Sequence, residues 1–228
     1  EYLKQKLLFE CIEDLNLMEQ ALQWWYNQQS RQLTWEAAQI RDCLLQESCA
    51  MRRSLELCPI KPDKFSFNSN ENWIKRLEIF HTYLQELCDR LSPPYLEEGL
   101  PLAIEYLVEK WQKVQPNWQF QLRLTPQWRQ QSSEGERLIL ATIDELLKIW
   151  LTDVVKKAFI FLDLQQNEQD NQLKITIHPL NSDSVGSLPK FHDLEYLSQS
   201  FQVLTSGTWI TQTQKTTTTY CLKWSRES

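Results

Sequence analysis

Three residues that could take part in chemistry lie within the stretch Arg41-Asp42-Cys43-Leu44-Leu45-Gln46. Asp42 and Gln46 are four residues apart, a spacing that places both side chains on the same face of a helix. Arg41 carries a guanidinium group, which suits a carboxylate or phosphate group of a partner. These residues could equally be polar side chains on a solvated helix face, and their types and spacing leave both interpretations open.

Other residue types that commonly form active sites are poorly arranged in this chain. The six cysteines form neither a C-x-x-C pair nor a Cys/His metal-ligand spacing, so we expect reduced structural thiols and no metal site. The three histidines have no Asp or Cys at a spacing that makes a catalytic triad. The four glycines are far apart in the sequence, whereas a loop that cradles phosphate needs glycine where the backbone approaches the ligand.

The composition is that of an ordinary globular protein. The chain has 228 residues, 42% hydrophobic and 24% charged, enough for one large domain or two small ones. A net charge of -6 disfavours nucleic acid as the main partner, because phosphate binding needs a concentrated basic face. The longest apolar run, Ala158 to Leu162, is far shorter than the roughly 20 residues of a membrane span. We therefore expect a cytoplasmic protein with no membrane segment.

Helical periodicity dominates the first hundred residues. Residues 1–30 place apolar side chains on one stripe, and this helix could pack on its own domain or feed a signal into the next helix. The polar stretch 30–34 could end it, although a continuous helix is equally compatible with the sequence. Further stripes predict helices at 33–57 and 73–91, and the polar residues 63–72 predict the loop between them.

Two long amphipathic helices joined by a loop make a hairpin with too little core to stand alone. Two such hairpins from two chains form a four-helix bundle, so the sequence predicts a homodimer. Residues 1–30 could supply the missing face instead. The predicted dimer core consists of Ile40, Leu44, Met51, Leu55, Leu77, Leu84, Leu87 and Leu91.

Helices and strands are mixed in the remainder of the chain. Helical periodicity and strand alternation predict helices at 102–114, 134–155 and 194–204, and strands at 118–124, 159–164, 172–178, 208–214 and 218–224. Helices on one face of a mostly antiparallel sheet form an α+β layer.

Two stretches carry a resemblance to a known family. The hexapeptide from Arg41 to Gln46 resembles the H-D-x-x-x-Q box of histidine kinases of the DesK/NarX class, which partner NarL-type response regulators, with arginine in place of the phosphoacceptor histidine. The stretch from Leu91 to Ala103 is similar to the L-x-P-P-x-L-x-x-x-G-L-x-x-A pattern at the exit of the kinase bundle, with two residues instead of three between Leu96 and Gly99. The resemblance implies a dimerising helical hairpin, forming a dimeric four-helix bundle, followed by a histidine-kinase-type ATPase-like α/β sandwich.

The resemblance also indicates where ATP would be held, and each place departs from the family pattern. Ile149 stands where the family has an Asn that binds Mg²⁺, and an apolar side chain supplies no oxygen ligand. After the strand 172–178, neither the Asp nor the paired glycines of the D-x-G-x-G box are in register. Threonines occupy 216–219, where the family has glycine. These losses are typical of a pseudokinase, so no cofactor and no metal are expected.

We therefore expect a catalytically dead histidine-kinase-like protein that binds and modulates a NarL-type regulator. Residues 1–30 would be a signalling helix, 31–95 a dimerisation hairpin and 96–228 a degenerate ATPase-like domain. The predicted regulator-binding face consists of Arg41, Asp42, Leu45, Gln46, Cys49 and Arg53.

Two alternatives remain beside this interpretation. In the resembled class the Gln orients a water that hydrolyses the aspartyl phosphate of the regulator. A phosphatase that uses Gln46 and Asp42 is therefore one alternative, and a purely structural interaction scaffold is the other. Neither autokinase nor ATPase activity is expected.

Overall fold

The structure is a computed structural model that describes residues 2–56, 67–91, 95–125, 128–129, 132–151, 157–180 and 191–225. The chain divides into two compact units. The sheet unit comprises Glu1–Tyr26 and Pro94–Ser228, and the hairpin unit comprises Asn27–Pro93.

The described residues form six α-helices, in the order that helical periodicity predicts. They are α1 Tyr2–Gln39, α2 Gln46–Glu56, α3 Phe67–Leu91, α4 Leu100–Val114, α5 Ser133–Trp150 and α6 Phe191–Thr205. A π-helical segment, Ile40–Leu45, joins α1 to α2, and a short 3-10 turn, Leu96–Glu98, precedes α4. None of the described helices is both long and apolar enough to cross a membrane.

The structure decides one helix boundary that the sequence left open and corrects two others, the start of α3 and the end of α5, which ends at Trp150 and not at 155. The helix α1 continues through the polar stretch 30–34, where the Thr34 hydroxyl donates to the carbonyl of Ser30 at 2.8 Å and so bonds within the helix instead of capping a new one. The helix α3 begins at Phe67, so the predicted loop at 63–72 is wrong from Phe67 onward. A polar composition does not exclude a helix. The remainder of that loop, 63–66, lies outside the described residues.

Five strands form a mixed sheet in the sheet unit. They are β1 Trp118–Leu124, β2 Ala158–Gln166, β3 Asp170–Pro179, β4 Thr208–Gln214 and β5 Thr217–Ser225, arranged in the order β1-β2-β3-β5-β4. The pair β1 and β2 is parallel and the other pairs are antiparallel. The helix α5 makes the crossover that the parallel pair requires. The predicted α+β fold class is confirmed.

The core of the sheet unit lies between the sheet and its helices. Alternate residues of the strands are fully buried, as in Ile160 and Leu162 of β2 and Ile175 of β3. They pack with a buried stripe on α5 that includes Ile143 and Leu146, spaced as one helical turn. The alternation that identifies the strands therefore also defines the core.

The first part of α1 packs on α6 within the same unit. The Ser200 hydroxyl donates to the carbonyl of Ala21 at 2.9 Å, and both residues are completely buried. The Tyr196 hydroxyl donates to the side chain of Gln20 at 3.2 Å, and its ring lies 6.4 Å from that of Trp24. Of the two interpretations of residues 1–30, packing on its own domain is thus observed up to Tyr26. The boundaries predicted at 30 and 95 stay predictions.

Candidate functional site

The six residues from Arg41 to Gln46 have an unusual backbone. Its residues from Arg41 to Leu45 lie in the π-helical segment, and Gln46 is the first residue of α2. A π-helical turn closes i→i+5 hydrogen bonds and is rare, and such turns are frequent at functional sites. Periodicity did not predict this segment, because one additional residue in a single turn hardly changes the apolar pattern.

The predicted regulator-binding face is exposed in the hairpin unit. Asp42 and Gln46 remain about one turn apart, since a π-turn takes in slightly more residues than an α-turn. Leu44, between them, is buried and 9% exposed, whereas the neighbouring Leu45 is 55% exposed. The exposed residues are Arg41, Asp42, Leu45, Gln46, Cys49 and Arg53. Their side chains can therefore meet another molecule without a rearrangement of the hairpin.

The inner side of the hairpin packs the π-helical segment and α2 against α3. Leu87 of α3 is 8% exposed and, with Leu44, lines a cavity of about 20 Å³ between the helices. The Cys43 thiol donates to the side-chain oxygen of Gln39 at 3.5 Å. The hairpin predicted from the two stripes is therefore formed.

The predicted dimer core divides into two groups. Leu44 and Leu87 point into the hairpin of their own chain. Leu77, Leu84 and Leu91 of α3 are 60%, 41% and 52% exposed, so they form an uncovered stripe with a seven-residue spacing. Ile40 and Met51 are half-buried, and the side chain of Leu55 lies outside the description.

The position predicted for a Mg²⁺ ligand lies near the end of α5. Ile149 is half-buried and packs against the core. Beside it, the Lys148 ammonium contacts Asp144 at 2.8 Å and Glu145 at 2.7 Å. The Trp111 indole N–H donates to the other oxygen of Asp144 at 2.9 Å.

These contacts occupy the charged groups at this end of α5. Burial lowers the pKa of Lys148, but the attraction of Asp144 and Glu145 outweighs burial and leaves the pKa raised. Lys148 is therefore a fixed cation paired with two carboxylates. In the part of the chain that the structure describes, no group of three His, Cys, Asp or Glu residues is placed to hold a metal ion.

Aromatic side chains fill the space between α5, α6 and the last two strands. The Trp150 indole N–H donates to the Tyr220 hydroxyl at 2.9 Å in the interior. The ring of Trp209 meets those of Tyr220 and Phe201 edge-on, each at 5.7 Å. Burial raises the pKa of Tyr220 far above its ordinary value. Sequence reasoning missed this cluster, for which the ten tryptophans were the available signal.

The other two places at which the resembled domain holds ATP, the D-x-G-x-G box and the glycine-rich stretch, correspond to the ends of strands in this chain. Thr217 and Thr219 belong to β5, and Thr219 lies 3.2 Å from Thr176 on β3 through their hydroxyl groups. His178, near the end of β3, lies 2.8 Å from the Thr217 hydroxyl through its Nδ1. The threonine stretch is thus largely strand. Of the residues that stand at the place of the D-x-G-x-G box, 178–186, those from 181 onward lie outside the described residues.

Comparison with known proteins gives histidine kinases among the solved structures. The catalytic domain of histidine kinase ThkA shares 9% identity over 56% of this chain and 91% of that chain, with a TM-score of 0.40. Histidine kinase AdeS of Acinetobacter baumannii shares 16% identity over 83% of this chain and 98% of that chain, with a TM-score of 0.38. ThkA in complex with the response regulator TrrA shares 12% identity over 86% and 61%, with a TM-score of 0.43.

No protein-family model matches the sequence, and the comparison with curated proteins gives no match. The identities and TM-scores of the solved structures are too low to support an argument about function. The functional proposal therefore depends on the residues of this chain.

Proposed function

We propose that this chain is a catalytically dead histidine-kinase-like protein that binds a NarL-type response regulator in two-component signalling. The binding face is the exposed set on the π-helical segment and α2, from Arg41 to Arg53. By occupying the regulator surface, the chain would change the phosphorylation, dimerisation or DNA binding of the regulator. The observation that carries the proposal is that all six predicted contact residues are exposed in a folded hairpin.

Three features of this chain support the absence of kinase activity. Arg41 stands at the phosphoacceptor position, and a guanidinium group that stays protonated is not a phosphate acceptor of the histidine type. Ile149 supplies no oxygen to Mg²⁺. Thr217 and Thr219 belong to the strand β5, whereas the resembled domain has glycine at this place.

The hairpin would act as a homodimer. The exposed stripe Leu77, Leu84 and Leu91 has the seven-residue spacing of a bundle seam. Burying each such side chain contributes about 1.5–3 kcal/mol. A second copy of the hairpin would cover this stripe and complete a four-helix bundle. A cytoplasmic location for this dimer stays a prediction.

A charge reversal tests the binding face directly. Binding of the purified chain to a panel of NarL-type receiver domains would be measured by isothermal titration calorimetry. We expect Arg41→Glu to weaken binding at least about tenfold, which corresponds to about 1.4 kcal/mol. Lys113→Glu makes the same charge change at an exposed position of α4 in the sheet unit and should leave binding unchanged. Absence of binding to any receiver, or equal binding by both variants, would contradict the proposal and favour a structural scaffold.

A phosphatase activity is the second candidate function. It is favoured by the exposure of Gln46 about one turn from Asp42, because a carboxamide in that position can orient a water without ATP. The lifetime of the phosphorylated regulator would be measured with and without the chain. If the activity exists, Gln46→Ala abolishes the acceleration and leaves binding intact, whereas Gln112→Ala, on exposed α4, changes neither. An unchanged lifetime with the wild-type chain would exclude the phosphatase.

A further inference from the structure

The outermost strand β4 is exposed along nearly its whole length. It is the last strand in the order β1-β2-β3-β5-β4 and, among the described strands, it pairs with β5 alone. Every residue of β4 except Trp209 is exposed, including Ile210 at 47%. The outer edge of β4 is thus open in the part of the chain that the structure describes.

The hairpin register determines which backbone groups face this open edge. Lys215 and Thr216 form a two-residue turn, so Gln214 and Thr217 are the closing pair and exchange hydrogen bonds. Hydrogen-bonded and non-hydrogen-bonded pairs alternate along an antiparallel ladder. The residues whose N–H and C=O groups point away from β5 are therefore Trp209, Thr211 and Thr213.

Among the described residues, this edge lacks the features that usually protect an outer strand. Sheets commonly block their edges with charged side chains, proline, a bulge or a covering segment. The sequence of β4, Thr-Trp-Ile-Thr-Gln-Thr-Gln, has no charge and no proline, and its register with β5 is unbroken. The opposite edge, β1, carries Arg123, whose side chain is 70% exposed. An open, uncharged edge rich in β-branched residues is suited to pairing with another strand.

The charges around β4 favour a second copy of the same strand as the occupant. An antiparallel pair with Thr211 on a two-fold axis brings the outward groups of both strands together, with Trp209 opposite Thr213. Identical strands meet without like-charge repulsion, because β4 is uncharged. Lys215 then lies opposite Gly207 of the second copy, just beyond the carboxyl end of α6. A helix carboxyl end carries partial negative charge and favours a nearby ammonium group.

We propose that β4 pairs antiparallel with β4 of a second copy, with Thr211 at the two-fold axis, so that two sheets join into one continuous sheet. Ile210 then packs beside Gln212 of the second copy, which covers its exposed surface. The contact lies in the sheet unit and is independent of the hairpin surface proposed above. When both contacts are in use, each chain has two neighbours and the assembly grows beyond two chains.

Removal of one outward N–H tests the contact. Thr211→Pro deletes a donor on the free side and leaves the hydrogen bonds from β4 to β5 in place. Thr211→Val is the matched control, because it keeps the N–H and a β-branched side chain. The mass of the full chain would be measured by sedimentation equilibrium at rising concentration. We expect wild type and T211V to pass beyond two chains, and T211P to stop at two.

Amide hydrogen exchange gives a second readout at residue level. In wild type, the amides of Thr211 and Thr213 should become protected as concentration rises. Those of Ile210 and Gln212, which bond to β5, should be protected at all concentrations. Circular dichroism checks the fold of T211P. If that variant is unfolded, Ile210→Lys replaces it, since it places a charge at the edge without altering the backbone.

The outcomes separate this contact from the hairpin dimer. A wild-type mass of two chains that T211P reduces to one would support the β4 contact and contradict the hairpin dimer. A wild-type mass that T211P leaves unchanged, or exchange rates of Thr211 and Thr213 that do not depend on concentration, would overturn the β4 contact. Regulator binding should be the same in T211P as in wild type, because the binding face lies in the hairpin unit.

Discussion

The sheet unit and the hairpin unit treat the same residue type in opposite ways. Leu146 and Leu173 of the sheet unit are completely buried, whereas Leu77 and Leu91 of the hairpin unit are more than half exposed, at 60% and 52%. A single chain therefore buries the leucines between the sheet and α5 but leaves an apolar stripe on α3 uncovered. The difference indicates that the sheet and α5 bury their core within one chain, whereas the proposed partner would add stability to the hairpin.

The largest expected effect comes from truncating a leucine in each unit. Leu146→Ala removes a fully buried side chain and should lower the free energy of unfolding by about 2–5 kcal/mol. Leu77→Ala should change it by less than about 0.5 kcal/mol in dilute protein, because the side chain is exposed there. Urea unfolding followed by circular dichroism measures both. At high concentration the effect of Leu77→Ala should grow if the hairpin dimerises.

The opposite result would contradict this difference between the two units. If Leu77→Ala destabilised dilute protein as much as Leu146→Ala, the stripe on α3 would already be buried within one chain. The proposed bundle dimer would then have no exposed surface to cover.

The next effect concerns the buried pair of Trp150 and Tyr220. Tyr220→Phe leaves the Trp150 N–H without its acceptor and should cost about 1–3 kcal/mol at neutral pH. Because burial raises the pKa of Tyr220, the unfolded chain loses this proton at lower pH than the folded chain. The stabilising contribution is therefore complete below about pH 10 and is lost as pH rises above it.

The alkaline limb of the stability curve measures this contribution. Urea midpoints would be compared between about pH 8 and pH 11 for wild type and Tyr220→Phe. Wild type should lose up to about 1.4 kcal/mol more per pH unit than the variant above the ordinary tyrosine pKa. Parallel curves for the two proteins would show that Tyr220 is accessible to solvent in the folded chain.

A smaller effect is expected where α1 joins the sheet unit. Ser200→Ala removes the buried hydrogen bond to the Ala21 carbonyl and should cost about 1 kcal/mol. Ser198→Ala is the control, because its hydroxyl bonds to the Glu195 carbonyl within α6 at an exposed position. Urea unfolding would measure both variants. Equal values would mean that the first part of α1 adds nothing to the stability of this unit.

The smallest effect is expected at an ion pair of the hairpin. The Arg76 guanidinium lies 3.9 Å from the Glu47 carboxylate, and both side chains are partly exposed. Arg76→Ala should therefore change the free energy of unfolding by less than about 1 kcal/mol. Raising the salt concentration should remove most of that difference, as a urea series at two ionic strengths would show. A larger, salt-independent loss would indicate a desolvated pair.

The sequence predicted the sheet unit well, because its patterns are local. Alternation in Trp118–Leu124 and Thr208–Gln214 predicted the strands β1 and β4 with both boundaries. The contact between Trp150 and Tyr220 joins residues 70 positions apart, and no local pattern reports such a pair. The strand order also depends on contacts between distant segments.

The hairpin site was only partly predictable. The exposure of Asp42 and Gln46 followed from their polarity and their spacing on a helix. The π-helical backbone beneath them did not, because an additional residue in one turn hardly changes the apolar pattern. Leu77 is exposed and Leu87 is buried, and this difference depends on how α3 packs against the π-helical segment.

The additional residue in the π-helical segment changes the rotation of α2 relative to the end of α1 within the hairpin unit. Side chains of α1 therefore emerge at a different azimuth relative to those of α2 than an uninterrupted α-helix would give. A helix that is fused to the amino end of α1 carries the same offset relative to α2. The junction of such a chimaera must therefore be chosen with this offset included. Deleting one residue from this segment would let it close as a regular α-helix, so α2 and the residues of α1 just before Ile40 would keep nearly the same relative azimuth.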